Sequence, residues 1–173
     1  MMNVENMFDE ALEVVKDCIG EDKLTSRIFR PIKINTRAKS RWGQCRTTTE
    51  GCLFGYEIEI SSRILQDGIP KNEVMNVIIH EILHACKNGM SHTGTWKSYA
   101  NMVNNKYPQY HISRTVSAKS FGLQEEQNNI KRQYAIKCKK CGNIHYSSKF
   151  SKSIQFPERY RCGHCGGPMI REF

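Results

Sequence analysis

A chain of 173 residues with a formal net charge of +9 has room for one sizeable core and a small appendage that needs its own cross-link. No apolar run approaches the ~20 residues needed to cross a bilayer, and the acidic, amphipathic beginning lacks the basic leader and apolar stretch of a secretory signal. A cytoplasmic protein with no membrane partner is expected, its eight cysteines kept reduced, so that clustered ones read as metal ligands.

Residues 3–19 are expected to form an amphipathic helix. Val4, Met7, Phe8, Ala11, Leu12, Val15, Cys18 and Ile19 recur at three-four spacing, while Glu5, Asp9, Glu10, Glu13 and Lys16 fall off that face. This helix carries packing and no chemistry. From residue 28 the texture turns to strand. "IFRPIKINTR" and "CLFGYEIEIS" are the candidates, and in the second Tyr56, Ile58 and Ile60 alternate with Glu57 and Glu59. "TTTEG", between Cys45 and Cys52, supplies a turn, so a hairpin is expected. Pro31 places the first strand at an edge or interrupts it.

"IPKNEVMNVIIHEILHACKNG" is the strongest helix pattern in the chain. Pro70 or Asn72 opens it and Asn88-Gly89 stops it, glycine being suited to the left-handed residue after a helix. A second helix runs from about Gly94 to Lys106, ahead of Pro108. Residues 114–130 are polar and aperiodic and read as a loop or linker. Short strand-like pieces surround the last four cysteines. Of the other cysteines, Cys18, Cys45, Cys52 and Cys86 read as small buried hydrophobes.

Packing alone does not explain why so apolar a helix carries His80, Glu81 and His84. Positions i and i+4 lie one turn apart on one face, so both imidazoles can aim at one point, which is what zinc asks of two of its ligands. Glu81 projects beside that face, within reach of a metal-held water, as in HExxH hydrolases. A catalytic zinc needs a third protein ligand. No Asp or Glu occurs between Glu81 and Glu125, which removes the class that borrows a glutamate from a following helix. The metzincin pattern fails as well, because Lys87 and Met90 stand at its glycine and histidine places. His92 remains, eight residues after His84, with His111 in reserve. A purely structural site would have no use for Glu81.

"HEILHACKNGMSHTGTWK" resembles the SprT-like (Spartan-like) zinc metalloproteases, members of which cleave proteins crosslinked to DNA. Their pattern is HExxH, a short spacer, then a histidine followed four residues later by an aromatic, here His92 and Trp96. Where the family commonly has glycine directly after that histidine, this chain has Thr93 and then Gly94. The run "SRWGQC", residues 40–45, resembles a strand segment of related bacterial zinc hydrolases, and reads equally as an ordinary strand around a buried Trp42.

Cys138 and Cys141 form one CxxC knuckle and Cys162 and Cys165 another, each followed by glycine. That spacing fits a four-cysteine structural zinc site. His145 and His164 stand nearby, but with both pairs intact neither is needed. The tail is too small to hold a core and should fold only with metal. Residues 131–173 hold ten basic and two acidic side chains, against seven acidic and two basic in residues 1–24. Four thiolates on one divalent ion subtract two charges, and the tail stays basic. Lys137, Lys139, Lys140, Lys149, Lys152, Arg159 and Arg161 alternate with Tyr134, Tyr146, Phe150, Phe156 and Tyr160. Such a surface suits phosphates and unstacked bases; it reads equally as a solvated basic face whose aromatics pack a tiny core.

These readings combine into an α+β protein. A zincin-like metalloprotease domain over residues 1–125 would consist of the N-terminal helix, a small antiparallel or mixed sheet and the HExxH helix, followed by a zinc ribbon over residues 131–173. The resemblance covers roughly residues 25–170, since bacterial SprT-like proteins often end in such a ribbon. The expected activity is a zinc endopeptidase holding one catalytic zinc on His80, His84 and His92 and one structural zinc on the cysteines, with Glu81 as general base and acid. Tyr107, Tyr110 and His111 are the candidate oxyanion donors. By resemblance the substrates are proteins on DNA, implying a role in DNA repair (nucleoid-associated in a bacterium), with the basic tail as tether. Two other readings stand beside this one: a DNA-binding adaptor whose zincin site does no catalysis, and a hydrolase of small peptides or amides indifferent to DNA.

Overall fold

The computed structural model describes residues 3–24, 27–123 and 134–172. The chain divides into two compact units, residues 1–126 and 127–173, and both α and β elements contribute to each.

In the first unit, α1 (Val4–Ile19) starts where Asn3 Oδ1 accepts from the amides of Glu5 and Asn6 at 3.0 and 3.2 Å, pairing donors that a helix start otherwise leaves orphaned. It buries the predicted stripe with Val14 added, while Leu12 and Cys18 are only partly covered.

A three-stranded sheet follows: β1 (Lys33–Asn35), β2 (Gly43–Glu50) and β3 (Leu53–Ser61), in the order β1-β3-β2. β1 lies parallel to β3 with Ile34 opposite Ile60; β2 lies antiparallel with Cys45 opposite Ile58. The expected hairpin exists with different bounds. Thr47, Thr48 and Thr49 are paired residues of β2, opposite Tyr56, Gly55 and Phe54, and the turn is Gly51-Cys52. Consecutive β-branched side chains favour extended backbone over a turn. Cys52 is consequently exposed rather than a core residue, whereas Cys86 is buried. Pro31 does mark an interruption: Ile28 bridges Tyr56, and pairing resumes at Lys33 on the sheet's edge.

The alternation along β3 separates two faces. Ile58 and Ile60 are fully buried in the core that includes α2. On the other face Glu57 pairs with Lys33 and Arg46, and Glu59 accepts from Arg41 at 3.1 Å and Asn35 at 2.5 Å. Opposite charges across adjacent strands therefore tie the sheet on its polar side.

α2 (Lys71–Ala85) buries Val74, Met75, Val77, Ile78, Ile79, Ile82 and Leu83 together with Asn76, Glu81 and His84. A helix apolar nearly all round belongs at the centre of a core, and α1, β2, β3 and α3 (Gly94–Lys106) all pack against it. Each fully buried Ile or Leu contributes about 1.5–3 kcal/mol, so the helix is held rigidly. Its exit differs from expectation. The left-handed residue is Asn88, at φ 60°, and glycine is needed at 89 because a Cβ there would stand 2.0 Å from the Leu83 carbonyl oxygen. The turn is tied down by the Lys87 amide donating to Lys23 O at 2.8 Å and by the Tyr99 hydroxyl donating to Lys87 O at 3.2 Å.

The expected polar linker contains a buried turn. A short 3-10 helix, Ala118–Phe121, covers Ala118 and Phe121, and the Phe121 ring lies 4.9 Å from that of Trp42. The part of that linker at 124–130 lies outside the described residues.

The second unit is an antiparallel sheet of β4 (Tyr134–Cys138), β5 (Ile144–Ser147) and β6 (Met169–Arg171), ordered β5-β4-β6. A one-turn helix α4 (Lys152–Gln155) lies between β5 and β6 in the chain. The core is Ile136, Cys138, Ile154, Cys162 and Met169. Tyr146, Phe150 and Tyr160 are exposed instead, at 42%, 49% and 41%. Among the described residues no helix is long and apolar enough to cross a membrane.

Candidate metal centre

His80 and His84 sit one turn apart on α2, and the turn closed by Gly89 brings the chain back so that His92 joins them. The Nε2 atoms form a triangle with sides of 3.2 Å (His80 to His84), 3.0 Å (His84 to His92) and 2.8 Å (His80 to His92). The opposite ring nitrogens of the two helix residues face backbone carbonyls: His80 Nδ1 donates to Ser113 O at 2.9 Å and His84 Nδ1 to Gly89 O at 2.8 Å. A proton kept at Nδ1 leaves the Nε2 lone pair facing the shared point. Trp96, 2% exposed on α3, packs against all three rings at centroid distances of 4.7, 5.6 and 4.7 Å.

Burial sets the protonation. It pulls His80 down to about 4, helped by its neighbour His84, and lowers His84 and His92 as well, Arg114 adding to the shift at His92. All three imidazoles are therefore neutral at neutral pH, the state in which they donate to a cation. Three neutral nitrogens converging this closely, with no acid among them, repel one another unless a positive ion sits between them. An ion bonding each nitrogen at ~2.0–2.1 Å fits a triangle of this size. The donors fit a divalent metal.

Glu81 is 6% exposed and shares with His80 a cavity of about 240 Å³, also lined by Arg41, Trp42, Gly43, Arg114 and Val116. Burial pushes its carboxyl up to about 8, against the opposing pull of the Cys45 amide and Arg41. Gly43, first residue of β2, is what makes room for it: a Cβ at 43 would stand 2.5 Å from Glu81 Oε1. "SRWGQC" thus supplies the wall facing Glu81. Trp42 is half-buried there, donating from Nε1 to Val116 O at 2.9 Å.

The oxyanion candidates fare differently. The Tyr107 hydroxyl is committed to Asp17 at 2.6 Å, and Tyr110 is buried in the core. His111 lines an adjoining cleft with Glu73, Asn76 and Ser113, and Thr115 and Val116 line both spaces. Arg114, missed in the sequence, stands in the cavity of His80 and Glu81 instead. Nothing in its polar, aperiodic surroundings marks it.

In the second unit Cys138, Cys141, Cys162 and Cys165 converge, all four sulfurs within 4.8 Å of one another. The amides of Gly142 and Gly166 donate to Cys138 O and Cys162 O at 3.0 and 2.8 Å, with both glycines at positive φ. These turns aim amides at sulfur: those of Cys141 and Lys140 lower Cys138, and those of His164 and Cys165 lower Cys162 to about 6. The amides thus favour the thiolate form at Cys138 and Cys162, the form that binds a cation, whereas Cys141, despite the Asn143 amide, is pushed up to about 12 by hydrogen bonds with the neighbouring thiols and by burial.

A family model, that of the SprT-like family, matches residues 7–116. That span contains the three histidines and Glu81 and stops short of the four cysteines. Curated proteins give no match, and solved structures give none.

Proposed function

The chain belongs to the SprT-like family, and from that premise we propose that it is a zinc-dependent endopeptidase with a zincin-like core, acting on proteins bound or crosslinked to DNA. The observation that carries this reading is the triangle of Nε2 atoms, 2.8–3.2 Å on a side, in contact with a cavity that also holds a buried carboxyl, Glu81. His80, His84 and His92 would hold the catalytic zinc, and the four cysteines the structural one. A divalent cation held there would supply Lewis acidity toward the scissile carbonyl and the attacking water, and its charge would favour the ionised form of Glu81.

The chain's own groups do the rest. The Glu81 carboxylate takes a proton from the attacking water and hands it to the leaving amine. Gly43 and the Cys45 amide keep that carboxylate in one place. Among the described residues β2 pairs on one side only, and its first residue lines the cavity. An extended segment of substrate can add to that free edge by main-chain hydrogen bonds. Arg114, on the same wall, is a cation available to negative charge that develops on the carbonyl oxygen.

The DNA part of the proposal is supported by the second unit. Its small core is aliphatic and sulfur-rich, which leaves Tyr146, Phe150 and Tyr160 at the surface of a segment with a large basic excess. Rings and cations together suit unpaired nucleic acid. The test is a protein–DNA crosslink incubated with native chain and with Glu81→Gln, and with free substrate protein as control. Cleavage that needs DNA, and that Glu81→Gln loses while keeping both metals, is the expected result. A native chain that binds DNA without cutting is an adaptor. Cleavage of short peptides indifferent to DNA and salt makes it a general peptidase.

A further inference from the structure

The segment from His111 to Val116 has no regular structure, yet every few ångströms it is fixed to something. The His111 amide donates to Asn76 Oδ1 at 2.9 Å. Ile112 is held at both its backbone groups by one side chain: its amide donates to Asn104 Oδ1 at 2.7 Å, and Asn104 Nδ2 donates to its carbonyl at 3.0 Å. The next carbonyl, Ser113 O, is the one that accepts from His80 Nδ1 at 2.9 Å. The Val116 carbonyl is then held by Trp42.

We propose that Asn104 is a positioning residue for His80, acting through the backbone of Ile112 and Ser113. The proposal deepens the metal reading above and rests on it in taking His80 as a ligand. A side-chain amide carries both the acceptor and the donor needed to meet the N–H and the C=O of one residue, and this two-point contact orients both peptide groups that flank Ile112. The Ile112 side chain, 4% exposed, anchors the same residue in the core. Ser113 O is therefore presented to His80 by a rigid strap, although it lies 33 residues away in sequence. Asn104 also shares α3 with Trp96, which packs against the same imidazole, so one helix fixes His80 from two directions. Freed of Asn104, the carbonyl can rotate away, and the ring then loses its Nδ1 partner and the preference for presenting Nε2. Partners of this kind set ligand orientation, and their loss typically costs ~10–100-fold in metal affinity.

His84 supplies the internal control, because its Nδ1 partner, Gly89 O, belongs to a different turn. In the full-length metal-free chain, imidazole N–H resonances are recorded for native protein, Asn104→Ala and Asn104→Asp. The same proteins are then titrated with Co2+ against a competing chelator, the ribbon being followed separately by its thiolate charge-transfer band. The expected result for Asn104→Ala is loss of the protected His80 Nδ1–H signal with that of His84 kept, and ~10-fold weaker cobalt binding at the histidines with the thiolate band unchanged. Asn104→Asp keeps the acceptor for the Ile112 amide and loses the donor, so its effect falls between the two; it carries the test if Asn104→Ala does not fold. A His80 signal and histidine-site affinity that stay native overturn the proposal, as does joint loss of both histidine signals. A native chain that takes no cobalt at its histidines removes the metal reading instead, and the resonance comparison still decides the strap.

Discussion

Gly43→Ala puts a single methyl group against the proposed base. Its Cβ would lie 2.5 Å from Glu81 Oε1, 2.8 Å from Cγ and 2.9 Å from Cδ. Carbon atoms rest at ~3.5–4.0 Å from one another, so about 0.7 Å or more of movement is needed to relieve the 2.8 Å contact. β2 resists it, because the whole strand from Gly43 to Glu50 is registered on β3. Glu81 is the part that gives, and a misplacement approaching 1 Å costs up to ~10²-fold in rate, while overpacking of this kind costs about 1–3 kcal/mol in stability. Peptide-cleavage kcat/KM should fall ~10–100-fold, with metal content unchanged by elemental analysis and a thermal midpoint lower by several degrees. Combined with Glu81→Gln, the methyl should cost almost nothing further, since both act on one carboxylate. A Gly43→Ala protein that is folded, fully metallated and within about twofold of native activity would refute the placement of Glu81 as base.

Acid should strip the histidine site late. Burial lowers the folded-state pKa values of the imidazoles, His80 to about 4, so protons compete with metal only below the ordinary histidine range; a release midpoint at or above about pH 6.5 in a metal-buffered titration contradicts this. In the metal-free chain the same shift means that the folded state binds fewer protons, so His80 adds stability as pH rises from about 4 to 6.5. Glu81 has the opposite sign, its carboxyl raised to about 8, and withdraws stability as pH rises from 4.5 to about 8. Chemical denaturation of Glu81→Gln across that range should lack this downward contribution, so that its stability rises with pH relative to the native chain. Gly89→Ala drives a Cβ to 2.0 Å from a backbone oxygen that cannot yield; a loss of about 3 kcal/mol and weaker metal at His84 are expected, and a native melting curve would exclude the contact. Gly167→Ala brings a Cβ to 2.8 and 3.2 Å from Cys138 and Cys165 Sγ, so a chelator should empty the ribbon ~10-fold more readily while peptide cleavage is kept.

The helices were legible because their signals are local. α3 runs from Gly94 to Lys106 as the spacing and Pro108 indicate, and α1 begins one residue inside the predicted range, after its Asn3 cap. The histidines could be found by elimination, since acidic competitors are missing from the following forty residues, and the structure brings the three together. The groups that surround them could not. Gly43 matters through a contact with a residue 38 positions later, and Asn104 and Asn76 read as ordinary polar positions on their helices until the strap is seen to cross them. The threonines of β2 misled in the other direction: "TTTEG" looks like a turn by its polarity, yet its first four residues pair along β3. In the ribbon the knuckles were plain from spacing, but the aromatics, which polarity alone left open between core and surface, proved to lie largely outside an aliphatic centre.

Because α2 is at once the hub of the apolar interior and the bearer of His80, Glu81 and His84, this part of the molecule has no separately melting workshop. Local fluctuations that would loosen the imidazoles must first undo the packing of Ile78, Ile79, Ile82 and Leu83, so the amides of residues 78–84 should be among the slowest to exchange with deuterium. Chemistry and cohesion then fail together on heating, as one event.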